Sequence, residues 1–265
     1  MKTRIISAIV ALVVVIPLYI IGDIPLAIFV GIIGLLGYKE ILTLKESHKP
    51  LPALVIGLGA LSLLSLIFVT LDGYQLAFGV SYQAIMFLVL AMLIPTLFYK
   101  DDTAYTTKDA FYLVGTILVL GVTFNAFLLL RERDILLLVY LFLISSMNDT
   151  FAMIVGKLIG KHKLCPKISP NKTIEGSLAG LILGTFMACL FYYNLIQPLM
   201  ISKLIIMTVF LSVVGQIGDI LFSKIKRENN IKDFSNIMPG HGGILDRLDS
   251  ICFIILAFIL IIRYI

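Results

Sequence analysis

Apolar residues in this chain occur in long blocks that are separated by short polar segments. A helix needs about 20 apolar residues to cross a bilayer, and most of the blocks come close to that length. They cover residues 5–22, 24–38, 52–71, 84–99, 110–130, 135–156, 175–195, 202–223 and 250–265. The second and fourth blocks are short, so the predicted number of transmembrane helices is uncertain by one. The pattern predicts an all-α, polytopic integral membrane protein with about nine transmembrane helices.

Composition excludes a soluble globular fold. Hydrophobic residues make up 60% of the chain and charged residues 14%, and the mean hydropathy is +1.05, whereas soluble domains are about half apolar. Nucleic-acid binding needs a water-soluble basic platform, and the pattern predicts none. The three cysteines, Cys165, Cys189 and Cys252, have no paired spacing, so neither a disulfide framework nor a zinc site is indicated.

The first block has features of a signal peptide as well as of a membrane helix. It follows the sequence Met-Lys-Thr-Arg, which is typical of the charged start of a signal peptide. No small-residue cleavage site follows, however, and apolar sequence resumes at Ile24. We therefore expect a retained first helix.

Basic residues in the loops orient the predicted helices, because Lys and Arg accumulate in loops that stay in the cytoplasm. A cytoplasmic amino terminus accounts for all of them except Arg131, Arg133, Lys203 and Arg263. The two longest polar loops, after the sixth and eighth blocks, then lie on the same cytoplasmic face. We expect them to form one site at the cytoplasmic side of the inner or plasma membrane.

The eighth block contains a stripe of polar and small residues at helical spacing. Its members are Ser212, Gly215, Gln216, Asp219, Ser223 and Lys226. An ionisable residue costs about 2.5–3.5 kcal/mol at mid-membrane and less near the end of a span, so Asp219 is expected to face protein or water and to serve function. A structural ion pair with a nearby lysine is the alternative. Gly215 and Gly218 flank Asp219 and are predicted to leave room for something larger than a side chain.

The sixth block has a similar design. Its spaced residues are Ser145, Asp149, Ala152, Gly156 and Gly160. The small ones are typical of a packing seam, which would serve an internal contact or a homodimer equally well. A packing seam gains nothing from a charge, so we assign Asp149 to the site, as a ligand or as an organiser of lysine or nucleotide.

The first polar loop, from Gly160 to Gly176, is rich in lysine and contains one acid, Glu175. The positive-inside rule alone would explain the lysines. It does not explain the turn-forming segment from Ser169 to Thr173, which leads into a helix with Glu175 in its first turn. A helix amino terminus beside Lys172 favours phosphate binding, although the glycines of a Walker loop are missing.

The second polar loop combines basic residues with Pro239-Gly240-His241-Gly242-Gly243 and with Asp246, Arg247 and Asp249. The glycines permit unusual backbone conformations and the close approach of a ligand. His241 is either structural or functional, and Asp249 is equally well a helix cap or a partner of Arg247. With so few His and Cys residues, a metal would be held by carboxylates, which suit Mg²⁺ shared with phosphates. Asp219 and Asp246 are the natural pair.

At these residues the chain resembles the phosphatidate cytidylyltransferase, or CDP-diacylglycerol synthase, family. The family's signature residues are present as Ser223, Lys226, Arg227, Lys232, Asp233, Pro239, Gly240, His241, Gly242, Gly243, Asp246, Arg247 and Asp249. A second family motif is present as Ser169, Pro170, Lys172, Thr173 and Gly176. The resemblance covers the second half of the chain, and the first five blocks are similar only in hydropathy and position.

The resemblance implies that CTP and phosphatidate react to give CDP-diacylglycerol and pyrophosphate, a committed step of phospholipid biosynthesis. It implies a requirement for Mg²⁺, held by Asp219 and Asp246, with a second cation such as K⁺ sharing these carboxylates. The catalytic residues are then Asp149, Asp219, Lys226, Arg227 and Asp246. Substrate contacts fall to Lys167, Ser169, Lys172, Thr173, Ser223, Lys232, His241, Gly242, Gly243 and Arg247.

Three expectations refine this assignment. His241 steadies the leaving pyrophosphate or its own loop and does not act as a base. Met153 stands where the family has an aromatic residue, which weakens a stacking role there without affecting Asp149. Residues 135–265 form the catalytic region, and residues 1–134 serve lipid access, packing or a dimer interface.

Two other functions are compatible with a polar site in a membrane protein. A CDP-alcohol phosphotransferase requires aspartates four residues apart after a glycine motif, whereas Asp246 and Asp249 are three apart and that motif is missing. A transporter of cations or organic phosphates would use Asp149 and Asp219 as an ion site. It predicts charge along a path open to both faces, but this chain concentrates its charge on one predicted face.

Overall fold

The helices of the protein follow the apolar blocks. The computed structural model describes residues 2–46, 50–68, 81–99, 104–196, 199–238, 240 and 242–262. In these residues the helices are α1 (Lys2–Ile21), α2 (Asp23–Glu46), α3 (Ala53–Phe68), α4 (Tyr82–Leu93, followed by a 3-10 turn, Ile94–Leu97), α5 (Thr107–Arg133), α6 (Ile135–Ile159), α7 (Ile174–Leu195), α8 (Ile201–Glu228) and α9 (Leu245–Ile261). Two short strands, β1 (Lys163–Cys165) and β2 (Ser169–Thr173), lie between α6 and α7.

Five of the described helices are long and apolar enough to cross a membrane, namely α2, α5, α6, α7 and α8. The described parts of α1, α3 and α4 form shorter apolar helices. Large apolar side chains such as Leu158, Ile182 and Ile206 are exposed on the long helices, as expected where lipid replaces water. The prediction of an all-α membrane protein is confirmed, while the count of nine spans stays a prediction.

Polar caps define two of the helix boundaries. Asp134 separates α5 from α6, because its backbone is extended and its Oδ1 atom accepts a hydrogen bond from the Leu136 amide at 2.8 Å. Ser81 starts α4 in the same way, since its Oγ atom accepts from the Gln83 and Ala84 amides at 3.1 and 3.3 Å. Each cap satisfies amides that a helix start leaves without partners.

The chain divides into two compact units. The first contains Met1–Leu129 together with Phe234–Leu245, and the second contains Leu130–Asp233 together with Asp246–Ile265. The division of roles between residues 1–134 and 135–265 concerns function and stays a prediction.

Helices α3 and α5 form the buried centre of the first unit. Leu63 and Leu66 of α3 have no exposed surface. Gly121 of α5 lies against Leu66, whose Cβ atom would be only 2.6 Å from a Cβ at position 121. The Asn125 side chain donates a hydrogen bond to the Ile67 carbonyl at 2.9 Å. A small residue and a hydrogen bond thus bring the two helices into close contact.

In the second unit, α6 and α7 pack backbone against backbone. A Cβ at Gly176 would lie 2.5 Å from the Ala152 carbonyl oxygen, and one at Gly180 would lie 2.5 Å from the Asn148 carbonyl oxygen. Such an approach is available only to residues without bulky side chains. The predicted packing seam is confirmed as a contact within the chain for Ala152, Gly156 and Gly160.

Helices α8 and α9 also meet through glycines. A Cβ at Gly215 would lie 2.7 Å from Ile254, and one at Gly218 would lie 2.9 Å from the carbonyl oxygen of Asp249 and from Phe253. The prediction that these glycines leave room beside Asp219 is therefore wrong. The space is filled by α9, and the glycines allow its close packing.

Candidate active site

The lysine-rich loop forms a β-hairpin. The segment from Ser169 to Thr173, predicted as a turn, is instead β2, with Ser169 opposite Cys165 and Thr173 opposite Lys163 in β1. Its composition is misleading because a short edge strand tolerates proline, here Pro170. The turn lies at residues 166–168, and Lys167 is exposed there.

The end of the hairpin leads directly into α7, as predicted. Thr173 caps the helix, because its Oγ1 atom accepts from the Gly176 amide at 3.1 Å, and the Ile174 amide donates to the His162 carbonyl at 2.9 Å. Glu175 accepts hydrogen bonds from the Lys161 amide at 3.1 Å and the His162 amide at 3.2 Å. Two amides of the predicted phosphate seat are thus already used within the chain, and the hairpin is held rigidly on the helix.

Lys172 reaches from β2 to the carboxylate of Asp219 on α8, with which it forms an ion pair. Ser223, one turn further along α8, donates to Asp219 Oδ1 at 3.4 Å. The side chains of Lys172 and Asp219 are 29% and 19% exposed, so solvent and ligands can reach this pair. The structure therefore joins the lysine-rich loop to the polar stripe of the eighth block.

A second lysine–carboxylate pair lies two turns along the same helix. Lys226 Nζ is 2.6 Å from Asp246 Oδ1 in the first turn of α9. These side chains are 10% and 5% exposed, so this pair is nearly buried. Removing one partner of a buried ion pair strongly destabilises the folded protein, because the other charge is left buried without compensation. The two pairs place Asp219 and Asp246 near the end of α8 where the two polar loops lie.

Two further carboxylates act on this region through their charge. Asp149 of α6 interacts electrostatically with Asp219 and with Lys172. Asp249 of α9 interacts electrostatically with Asp149, Asp219 and Lys226. Asp249 lies one turn inside α9, so it is not the cap of that helix. Carboxylates from three helices thus interact electrostatically with one another at Asp219.

A partly buried polar network connects helices α6, α7 and α8 next to Asp219. Asn148 of α6 donates to the Ser212 carbonyl at 3.1 Å and accepts from the Gln216 side chain at 2.9 Å. Gln216 also donates to the Ser177 carbonyl of α7 at 3.0 Å. Gln216 belongs to the predicted polar stripe of the eighth block, whereas Ser177 was not among the predicted residues. The network fixes the rotation of α8 and with it the direction of Asp219.

Arg227 connects the two polar loops. Its Nε atom donates to the Ile168 carbonyl at 3.3 Å, and a terminal nitrogen donates to the Ile231 carbonyl at 2.9 Å. The structure thus brings the two loops together, as expected from the topology. Lys232 and Arg247 are exposed on the second loop and on the first turn of α9.

Two glycines of the glycine-rich segment have backbone conformations that favour glycine. Gly240 and Gly242 have φ angles of 78° and 84°, which other residues rarely adopt. Gly242 exchanges backbone hydrogen bonds with Met238 at 2.9 and 3.1 Å, which closes a tight loop. Pro239 and His241 lie outside the described residues, so the role of His241 stays a prediction.

Gly243 lies against the carboxylate of Glu40, which was not among the predicted site residues. A Cβ at this position would be 2.5 Å from Glu40 Oε1. The close approach expected from this glycine is thus to α2 of the first unit. The second block was predicted to end at residue 38, but α2 continues to Glu46. Buried Ile41, Leu42 and Leu44 extend its apolar pattern and were the available signal.

The carboxylates suit Mg²⁺ in their chemistry, because Mg²⁺ prefers oxygen ligands, uses one or two carboxylates and takes its other ligands from water and phosphates. The electrostatic interaction of Asp219 with Asp149 and Asp249 is a further reason for a cation to bind there. Among the described residues, no group of three or more His, Cys, Asp or Glu side chains is arranged as a complete metal site. A metal at Asp219 and Asp246 would therefore share its coordination with the substrate.

Comparison with known proteins covers nearly the whole chain. Residues 2–265 match the model of the cytidylyltransferase family. A protein of Bacillus subtilis (strain 168) called phosphatidate cytidylyltransferase is 35% identical over 259 residues, which cover 96% of this chain and 94% of that protein. Proteins of the same name from Staphylococcus haemolyticus (strain JCSC1435) and Staphylococcus aureus (strain COL) are 33% identical, with 96% of each chain covered.

These similarities extend the resemblance from the motifs of the second half to the first five helices, and they confirm it. The chain belongs to the cytidylyltransferase family.

Proposed function

We propose that the protein is a phosphatidate cytidylyltransferase that converts CTP and phosphatidate into CDP-diacylglycerol and pyrophosphate. The observation that supports this most directly is the pair of lysine–carboxylate contacts, Lys172–Asp219 and Lys226–Asp246, near one end of α8. Together they provide cations for phosphates and carboxylates for a metal. Family membership and the names of the relatives support the choice of substrates.

The substrates determine what the site must do. A phosphate oxygen of phosphatidate attacks the α-phosphorus of CTP, a new P–O bond forms, and the bond to the β-phosphate oxygen breaks to release pyrophosphate. The nucleophile is already anionic, so no strong base is needed. Positioning and charge neutralisation then account for most of the rate enhancement.

Lys172 and Lys226 are placed to carry out this neutralisation. In the free protein their ammonium groups are held by Asp219 and Asp246. When CTP binds, its phosphates offer more negative charge than a single carboxylate, and each lysine turns to them. Asp219 and Asp246 would then hold Mg²⁺, and a second cation such as K⁺ would share these carboxylates. Bound Mg²⁺ supplies further neutralisation of the triphosphate.

The remaining site residues surround these pairs. Lys167, Lys232 and Arg247 are exposed, and we assign them to phosphates of CTP or of the lipid. Ser169 and Thr173 shape the hairpin, Ser223 orients Asp219, and Arg227 holds the two loops together. Gly242 is held by backbone hydrogen bonds to Met238, and His241 steadies the leaving pyrophosphate or its own loop. Asp149 adds a third carboxylate, which interacts electrostatically with Asp219 and Lys172.

The membrane provides the second substrate. The apolar exterior of the long helices keeps the protein in the bilayer, where phosphatidate retains its acyl chains while its headgroup reaches the polar loops. The distribution of Lys and Arg directs those loops to the cytoplasm, where CTP is available.

The test is a reaction with purified protein in detergent, phosphatidate, CTP labelled in its base and Mg²⁺. Labelled CDP-lipid is expected, and addition of EDTA should stop its formation. A parallel measurement of solute flux in proteoliposomes tests the alternative that the protein is a transporter. Flux without any CDP-lipid product would reject the proposed function.

A further inference from the structure

Glu40 is a buried carboxylate outside the predicted site, and its partners all come from one segment. Its side chain on α2 is 2% exposed. Oε1 accepts from Ser235 Oγ at 2.6 Å and from the Ile244 amide at 2.8 Å, and Oε2 accepts from the Leu245 amide at 2.9 Å. These residues and α2 belong to the same unit of the structure.

The hydrogen bonds explain how a carboxylate is tolerated in this position. Burial of a charged group is costly unless it is hydrogen-bonded, and three donors meet this requirement. Two of the donors are backbone amides at the start of α9, where the first amides of a helix lack partners and the helix dipole favours negative charge. Glu40 therefore caps α9 from another helix.

A cap supplied from so far away has a consequence that a local cap would not have. Helices are usually capped by Ser, Thr, Asp or Asn at the preceding position, but here Ile244 precedes α9 and has no side-chain acceptor. The cap comes instead from a residue 204 positions earlier. Ser235, Ile244 and Leu245, which lie on the two sides of the glycine-rich segment, are thus held on α2 within the same unit.

The next residue after this contact is Asp246, which pairs with Lys226. We infer that Glu40 is a positioning residue, which sets the direction of Asp246 by holding both ends of segment 235–245. This inference rests on the proposed function, since Asp246 matters there as a ligand of the metal and triphosphate. Gly243 is part of the same contact, because any side chain at that position would push against the Glu40 carboxylate.

The first experiment compares Glu40→Gln with Asp109→Asn. Asp109 is also a buried carboxylate of the first unit, but it accepts from Thr106 at the start of α5. For Glu40→Gln we expect kcat/KM for CTP to fall by about 10- to 100-fold, because small misplacements of reacting groups have effects of that size. The Mg²⁺ concentration for half-maximal activity should rise. For Asp109→Asn both quantities, measured per folded protein, should stay at the wild-type value.

A double-mutant cycle separates positioning from general stability. Gly243→Ala displaces the carboxylate without removing its charge, so its effect should not multiply with that of Glu40→Gln. Multiplied effects would show that the two residues act independently and would overturn the inference. If Glu40→Gln does not fold, Ser235→Ala decides, since it leaves both amide contacts in place. A lowered kcat/KM supports the inference and a wild-type value rejects it.

The two proposals fail in different ways. If the wild-type protein makes no CDP-lipid, the proposed function is wrong. If the wild-type protein is active and folded Glu40→Gln has the same kcat/KM and the same Mg²⁺ requirement, the positioning role of Glu40 is wrong while the function stands.

Discussion

Glu40 and Asp246 are both nearly buried carboxylates in a membrane protein, but their observed partners differ. Glu40 receives hydrogen bonds from the Ile244 and Leu245 backbone amides, which cannot move away without displacing the chain, and from the Ser235 hydroxyl. Asp246 is paired with the flexible side chain of a lysine, and Asp219 is paired with another. From this difference we expect Glu40 to hold the fold, and Asp219 and Asp246 to be the exchangeable carboxylates of the proposed metal site.

The largest expected effect follows from removing an exchangeable carboxylate. Asp219→Asn and Asp246→Asn should each lower kcat by at least about 10²- to 10³-fold, the size of loss seen when a preorganised electrostatic contact is removed. Both proteins should still elute as folded species in detergent. Near-normal turnover of either variant would remove that residue from the metal site, and Asp109→Asn serves as the matched control.

The two lysines should differ in what they stabilise. Lys226→Gln removes the cation of a nearly buried pair, which costs about 3–5 kcal/mol, and its Tm should fall clearly. Lys172→Gln affects a more exposed pair, so its Tm should change less while its KM for CTP rises. Thermal unfolding in detergent and steady-state kinetics measure both quantities. Equal losses of Tm would show that burial does not distinguish the two pairs.

The close packing of α8 against α9 next to Asp219 depends on Gly215 and Gly218. Gly215→Ala places a Cβ 2.7 Å from Ile254 of α9, and overpacking of this kind costs about 1–3 kcal/mol. Gly57→Ala in α3 is the matched control, because nothing lies within 4 Å of the added methyl group. We expect a lower Tm only for the first variant. An unchanged Tm in Gly215→Ala would indicate that room exists beside Asp219 after all.

The smallest effect is expected for an exposed cation. Lys232→Gln removes an exposed charge, and a solvent-screened contact of such a charge with phosphate would contribute about 0.2–1 kcal/mol. The KM for CTP or phosphatidate should therefore rise by about two- to fivefold at constant kcat. Steady-state kinetics at low and high salt check this, since a screened contact weakens with salt. Identical KM values in variant and wild type would reject a phosphate contact by Lys232.

The sequence was most informative where structure depends on local pattern. Apolar blocks predict the helices because a membrane span is recognisable from a single stretch of chain. The polar stripe of α8 was also readable, since helical spacing alone puts Asp219, Ser223 and Lys226 on one face. The motifs then identified the family and named the residues that the structure brings together as Lys172–Asp219 and Lys226–Asp246.

The sequence was least informative where a residue's partner lies far along the chain. Nothing near Glu40 indicates that it caps a helix more than 200 residues later. The space beside Gly215 was misread for the same reason, because only tertiary packing shows that Ile254 fills it. The hairpin was missed because Pro170 and Asn171 favour turns locally, whereas pairing with β1 decides the conformation.

The most direct test of the account follows the phosphorus atoms of CTP. Purified protein is incubated with phosphatidate and Mg²⁺ in two reactions, with CTP labelled at the α-phosphorus in one and at the γ-phosphorus in the other. We expect the α label to enter the lipid and the γ label to be released in pyrophosphate. Transfer of the γ label to lipid, or no labelled lipid in either reaction, would contradict this expectation.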